Sequence, residues 1–282
     1  MAVTTPSLAF PPLSRSGSAA TPPIIPDDVT PQCIRFAFPG VPGVRCAFQT
    51  RRGGISDGAW AGGNISYEVG DDSAAVAANR ATLAASLDLA EWVEAKQVHG
   101  DAMIMDPEPV QLAAALAATP VAQADGLATS RPGVGLVIKT ADCQPILLAH
   151  ESGKYVAALH AGWRGNRIGF PQSGVRAFCE RHGFPAREVL AVRGPSLGPA
   201  AAEFVNFATE WGQDFARWFR TASRTMDLWT LTRHQLAEAG LLPERIYGLD
   251  LCTHTLADDF FSYRRAATTG RQASIIWMEG EG

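Results

Sequence analysis

Apolar positions in this chain fall into short, dense runs separated by polar and glycine-rich breaks, and the runs change character along its length. From Ile34 onward, "IRFAF" and "VRCAFQT" read as two strands around the turn "PGVPG". "RRGGISDGAWAGGN" (51–64) has too many glycines for either regular element and is loop. Residues 71–89 switch to a helical period: Val76, Leu83 and Leu87 share a face, and Asp72 or Ser73 can cap the first turn. "WVEAKQVH" and "AMIM" read as strands, and "PVQLAAALAA" as a short Ala-rich helix or loop. "GVGLVIKT", "PILLA" and "YVAALH" are near-continuous apolar runs, the pattern of strands buried on both faces. Further on come a helix around 171–182, the strand "VLAVRG", a long helical stretch around 205–240, and strands at "IYGLDLCT" and "ASIIWM". Strands and helices mix without strict alternation or repeat, which predicts a single α+β (mixed α/β) domain over 31–282. Residues 1–30, rich in Pro, Ser and Thr, read as a poorly ordered or extended arm.

Composition narrows the classes of function. The 282 residues are 46% apolar and 18% charged, with a net charge of −4 and only three lysines, Lys96, Lys139 and Lys154. No basic excess marks a nucleic-acid partner, so an anionic ligand would be met by a few placed arginines. Five cysteines without a CxxC pair suit a reducing compartment. The N-terminus has no signal-peptide pattern and no apolar run is long enough to span a bilayer, so a cytoplasmic protein without a membrane partner is expected.

The densest chemistry lies in "LVIKTADCQPILLAHESGKYVAALHAGWRGN" (136–166). "PILLAH" and "YVAALH" flank the turn "ESGK" and predict an antiparallel hairpin. Centred on Ser152-Gly153, its register sets Pro145 opposite His160, with Cys143 one diagonal step away, about 7–8 Å at the backbone. His99, at the end of "KQVH", would complete a CysHis₂ set. Three protein ligands with an open position suit catalytic zinc; the same set occurs in blue-copper centres. The bland alternative is a small core cysteine between two hydrogen-bonded strand-end histidines, and spacing alone does not choose.

Several blocks together resemble the YfiH-type laccase-domain family: "TRRGGIS" (50–56), "GDDSAAVAANR" (70–80), "QVHGD" (97–101), "QADGLATSRPGVGLVIKTADCQPILL" (123–148), "HAGWRGN" (160–166), "GPSLG" (194–198) and "SYRRAATTGRQAS" (262–274). Its members have been called polyphenol oxidases and are described as purine nucleoside phosphorylases. The resemblance implies layered α/β/β/α mixed sheets. It implies zinc on His99, Cys143 and His160, phosphate as co-substrate and purine nucleosides as substrates, with adenosine deamination as a side activity. A monomer or small homo-oligomer is expected. Arg51 and Arg164 match family positions and, with Arg264, are candidates for gripping phosphate, since a guanidinium fork engages two oxygens. Trp163 is a candidate for lining the pocket. Cys143, Asp142 and Arg164 are the candidate catalytic residues, and Asp142 and Asp125 candidate acid/base or supporting groups. In "GPSLGPAAAEF" alanines stand where the family often has cysteines. Copper-dependent polyphenol oxidation is a second reading. Against it, the four other histidines (His150, His182, His234, His254) show no HxH pairing. A metal-free hydrolase with Cys143 as nucleophile and His160 as base is a third, and a metal-stabilised binding module a fourth. Cys252 and His254 share a predicted strand but lack a further ligand. His150, His182 and His234 are expected at the surface.

Overall fold

A computed structural model describes residues 30–108, 110–111 and 122–280. The N-terminal arm and most of "PVQLAAALAA" lie outside the described residues. Strands β1 (Cys33–Phe36) and β2 (Val44–Gln49) pair antiparallel across the predicted turn. Helix α1 (Ser73–Ser86) starts where the Asp72 carboxylate accepts the Ala75 N–H at 2.9 Å. Then come β3 (Glu91–Glu94), β4 (Met103–Met105), β5 (Val110–Gln111), β6 (Gly126–Thr129), β7 (Val134–Thr140), β8 (Gln144–His150) and β9 (Val156–Ala161). Two helices follow, α2 (Trp163–Arg167) and α3 (Phe170–His182), and then β10 (Val189–Arg193). The chain closes with α4 (Phe207–Glu210), β11 (Phe219–Arg220), β12 (Thr225–Met226), α5 (Leu228–Glu238), β13 (Ile246–Gly248) and β14 (Gln272–Met278).

These elements build two six-stranded mixed sheets, in the orders β1-β2-β14-β7-β3-β5 and β13-β10-β8-β9-β6-β4. Phe48, Leu136 and Ile276 of the first sheet pack against Leu147, Ala158 and Val192 of the second. On the outer face of the first sheet, Leu83 and Ala84 of α1 meet Trp92, Val137 and Ile275. On the outer face of the second, Val175 and Phe178 of α3 and Leu236 of α5 cover Ile146, Leu148 and Leu159. The layering is therefore α/β/β/α, a single α+β domain, as the resemblance implies. β7, β8 and β9 are buried at every position, which explains their unbroken apolar runs.

Three predicted elements are shorter than their patterns suggested. The 205–240 stretch is a helical turn, a 3₁₀ segment, the β11–β12 hairpin and then α5. Its apolar spacing reflects an aromatic cluster, with Trp211 against Phe204 and Phe215 and Phe207 stacked on Phe219. "WVEAKQVH" stays in the sheet only to Glu94, because the backbone beyond it turns to wrap a buried carboxylate described below. "IYGLDLCT" is a strand only over Ile246–Gly248; Cys252 makes one isolated bridge with Ser196.

Only Ala141, Asp142 and Cys143 separate β7 from β8, and within them the chain passes from the first sheet to the second. That crossover carries the site.

Candidate metal centre

The hairpin has the predicted register: Pro145 pairs with His160 and Gln144 with Ala161, which leaves Cys143 one step outside the ladder beside Gly162. His99 reaches the same point from the loop after β3, in a left-handed backbone conformation (φ 61°) that non-glycine residues rarely adopt. One ligand atom from each of His99, Cys143 and His160 lies within 4.8 Å of the others, and the Cys143 Sγ to His99 Nε2 distance is 3.7 Å. The two rings stand edge to face with centroids 4.9 Å apart. Zn–S and Zn–N bonds of about 2.3 and 2.0 Å place tetrahedral ligand atoms roughly 3.3–3.6 Å apart, so a small contraction closes this set on a cation. It is the one such group of three or more among the described residues.

Asp125 holds the arrangement. Its fully buried carboxylate accepts the His160 Nδ1–H at 2.7 Å, which leaves His160 Nε2 for the site. The same carboxylate accepts the backbone N–H groups of Val98 (3.2 Å), His99 (3.0 Å) and Gly100 (2.7 Å). One buried anion thus orients one ligand and folds the loop that delivers another. Burial works to raise the Asp125 carboxyl, but the His160 and backbone hydrogen bonds outweigh it and hold it below the ordinary value. Asp125 is thus the supporting group, one of the two roles expected for it.

Burial also pushes the Cys143 thiol up, yet the His160 charge, followed by hydrogen bonds from both histidines, brings it down to about 6. Burial pulls His160 down; the Cys143 thiolate and Asp125 overcome it and raise the imidazole to about 9. The site therefore favours a thiolate, the form that ligates metal. Gly162 leaves room for it: a Cβ there would stand 2.9 Å from both Cys143 Sγ and His99 Cδ2. Behind Gly162, buried Asn166 accepts Gln144 Nε2–H at 2.8 Å and donates to Thr232 and Gln235, tying α2 to β8 and α5.

The other expected residues have distinct surroundings. Asp142 braces loops: one oxygen accepts Thr253 Oγ1–H at 2.7 Å, the other the Arg264 backbone N–H at 2.6 Å. Arg164 sits on helix α2 rather than a loop, exposed, its guanidinium 4.5 Å from the Trp163 ring centre. Trp163 leans on Phe204 and Trp211. Arg51 spends its donors on the carbonyls of Ala61 and Ala257 and lies over Phe261. Arg264 donates to the Glu203 carbonyl. His150 is buried rather than at the surface, bonded to Ser152 and Glu188. His182 and His234 are half-buried, packed against Phe178 and Trp218. Cys252 Sγ accepts the Gly198 N–H, and His254 offers its carbonyl to Arg265. A cavity of about 300 Å³ lined by Arg193, Trp229, Tyr247 and Asp250 contains none of the three ligands.

The described residues include no helix long and apolar enough to cross a membrane. The family model for multi-copper polyphenol oxidoreductase laccase matches residues 45–279, strands β2 to β14 and every residue of the triad. The chain belongs to this laccase-domain family. Curated members similar to it include the Escherichia coli purine nucleoside phosphorylase YfiH, 34% identical over 86% of this chain and 96% of that protein. A purine nucleoside phosphorylase of Mycobacterium tuberculosis is 36% identical over 84% and 92%. Among solved structures, YlmD of Geobacillus stearothermophilus superposes with a TM-score of 0.78 at 29% identity, covering 90% of this chain and all of that one. Bacillus licheniformis YfiH gives 0.77 at 28% identity, over 84% and 93%.

Two supporting groups escaped the sequence reading. Gln97 exchanges both amide groups with the Lys139 backbone, each at 2.8 Å, and so pins the His99 loop to β7. Arg271 immediately precedes β14 within a quoted block, and the fold sets its backbone against distant Asn64 and Ile65. No local signal marked either residue.

Proposed function

We propose that this chain is a zinc-dependent purine nucleoside phosphorylase of the cytoplasm, a monomer or small homo-oligomer cleaving adenosine- and inosine-type nucleosides with phosphate. The observation that carries the reading is the His99–Cys143–His160 set braced by Asp125, in a family whose curated members include purine nucleoside phosphorylases. The donors, two imidazoles and a thiol held as thiolate, fit zinc in its three-ligand catalytic pattern. Bound there, zinc would supply a Lewis-acidic positive charge next to the reacting sugar.

In phosphorolysis a phosphate oxygen forms a bond to ribose C1′ while the C1′–N9 bond breaks, and its electron pair leaves with the base, which takes a proton. The protein's part is to position both reactants and to stabilise charge that develops between them. Asp125 keeps His160 in one tautomer, and Asp142 fixes the crossover against the 253 and 264 loops. Arg164, whose guanidinium lies over the Trp163 ring and makes no ion pair among the described residues, is available to an anionic reactant. Adenosine deamination is proposed as a lesser activity of the same site.

A copper oxidase would need a second cluster of imidazoles. The four other histidines instead pack against aromatic rings or lend a backbone carbonyl, and none joins a group of three potential ligands among the described residues.

The test pairs metal analysis with a phosphate-dependent assay. Wild type should carry about one zinc per chain and release hypoxanthine from inosine only when phosphate is present, forming ribose 1-phosphate. Cys143→Ser should lose both. Base release without phosphate would assign a hydrolase instead. A metal-free, active wild type would point to Cys143 and His160 as a nucleophile–base pair.

A further inference from the structure

Arg51 and Arg264 donate to backbone carbonyls, whereas Arg271 commits only one of its guanidinium nitrogens to the protein. Its backbone is fixed, with the N–H donated to Asn64 Oδ1 at 2.8 Å and the carbonyl accepting the Ile65 N–H. Gln272, the next residue, pairs with Thr140, the last residue of β7. Arg271 therefore lies just before its strand, at the end of the sheet where Ala141-Asp142-Cys143 leave β7. The Nη1 group is anchored by the carbonyls of Thr269 and Gly270, each at 2.9 Å, whereas Nε and Nη2 make no hydrogen bond among the described residues.

The charge is equally uncommitted. No ion pair among the described residues includes Arg271. Cys143, Asp142, Tyr263 and Glu68 are the groups whose charge it feels, and the acids are already occupied. Asp142 is bonded to Thr253 and Arg264, and Glu68 to Lys139. Burial holds the Arg271 guanidinium below its ordinary value, the cost of a part-buried cation without a counter-ion. Such a group is normally paired or bound to a ligand. Tyr263, 58% exposed, stands with its ring centre 6.0 Å from the guanidinium carbon and walls one side.

We propose that Arg271 is the residue that grips inorganic phosphate, presenting Nε and Nη2 as a two-pronged fork beside the metal triad. Phosphate supplies the dianion this cation lacks, and the fork matches two of its oxygens while a third remains to attack C1′. This inference rests on the phosphorylase reading, yet phosphate binding can be tested apart from turnover.

The experiment uses the metal-loaded full chain as wild type, Arg271→Gln and Arg271→Lys. For each, KM is measured for phosphate and for inosine, metal content is determined, and thermal unfolding is followed against added phosphate without nucleoside. Expected for Arg271→Gln is a phosphate KM raised by about tenfold or more, inosine KM within roughly threefold, unchanged metal content, and loss of phosphate-induced stabilisation. Arg271→Lys keeps charge without the fork and should fall between; it carries the test if the Gln variant does not fold. Should wild type lack phosphate-dependent turnover while phosphate still stabilises it and not the variants, the phosphorylase reading falls and Arg271 keeps its role. Equal phosphate responses in all three proteins, in turnover and unfolding alike, overturn the inference.

Discussion

Asp125 makes four hydrogen bonds from a position with no solvent exposure, one to the His160 ring and three to the backbone that carries His99. Its charge also sets the balance between thiolate and imidazolium. Stripped of metal, the protein gains stability from that pair only while both partners are ionised. Cys143, depressed to about 6, contributes above its unfolded value and loses the contribution as pH falls through 6. His160, raised to about 9, contributes below its unfolded value and loses the contribution as pH rises through 9. The pair therefore stabilises chelator-treated protein most between pH 6 and 9, with decline on both sides. Asp125→Asn removes an anion that raises His160; His160 falls, Cys143 rises in response, and the window narrows from both ends. Thiolate absorbance and unfolding temperature against pH, on wild type, Asp125→Asn and Cys143→Ser, check this. Metal affinity of Asp125→Asn should drop about 10–100-fold, the usual cost of losing a partner behind a ligating histidine. A window of unchanged width in Asp125→Asn would refute the coupling.

The junction of β9 and α2 is the element on which the ligand spacing depends. Gly162 has extended backbone angles (φ −72°, ψ 177°) that any residue can adopt, so glycine is required here by its missing Cβ alone. Gly162→Ala puts a methyl 2.9 Å from Cys143 Sγ and His99 Cδ2, and these must move apart. Overpacking of this kind costs about 1–3 kcal/mol; here it should appear as weakened metal binding with unchanged far-ultraviolet dichroism, read by chelator competition. What was legible in the sequence follows the same division. The β8–β9 hairpin and its register could be read because both strands are apolar at every step and the turn residues lie between them. The triad followed from that register together with the family blocks. The tail of "WVEAKQVH" could not be read, because the left-handed turn at His99 is imposed by a carboxylate 26 residues away. Nor could the 205–240 region, where aromatic side chains packing on one another imitate a helical stripe. Gln97 binds β7 42 residues away, and Arg271 is brought to the crossover by Gln272, which pairs with Thr140 132 residues away; only the folded sheet reveals either placement.

At the scale of the molecule, the site joins the two sheets at one end of their shared core. His99 follows β3 of the first sheet, Cys143 lies on the crossover, and His160 belongs to β9 of the second. A metal held by all three closes the sheets together and is present only in the folded state, so its binding energy adds to stability. At free metal a thousandfold above Kd the gain is about 4 kcal/mol, or roughly 5–15 °C in Tm for a chain this long. Leu147, fully buried between the sheets, offers a control. Leu147→Ala should cost about 2–5 kcal/mol and lower Tm in both forms by a similar amount. The metal-dependent increment should stay nearly constant, because distant perturbations add. Cys143→Ser should do the reverse, leaving chelated Tm close to wild type outside the pH 6–9 window and abolishing the increment. Calorimetry of the three proteins with and without chelator separates the effects. An increment that survives Cys143→Ser places the stabilising metal away from the triad; one that vanishes in Leu147→Ala makes the site depend on the integrity of the inter-sheet core rather than on its own ligands.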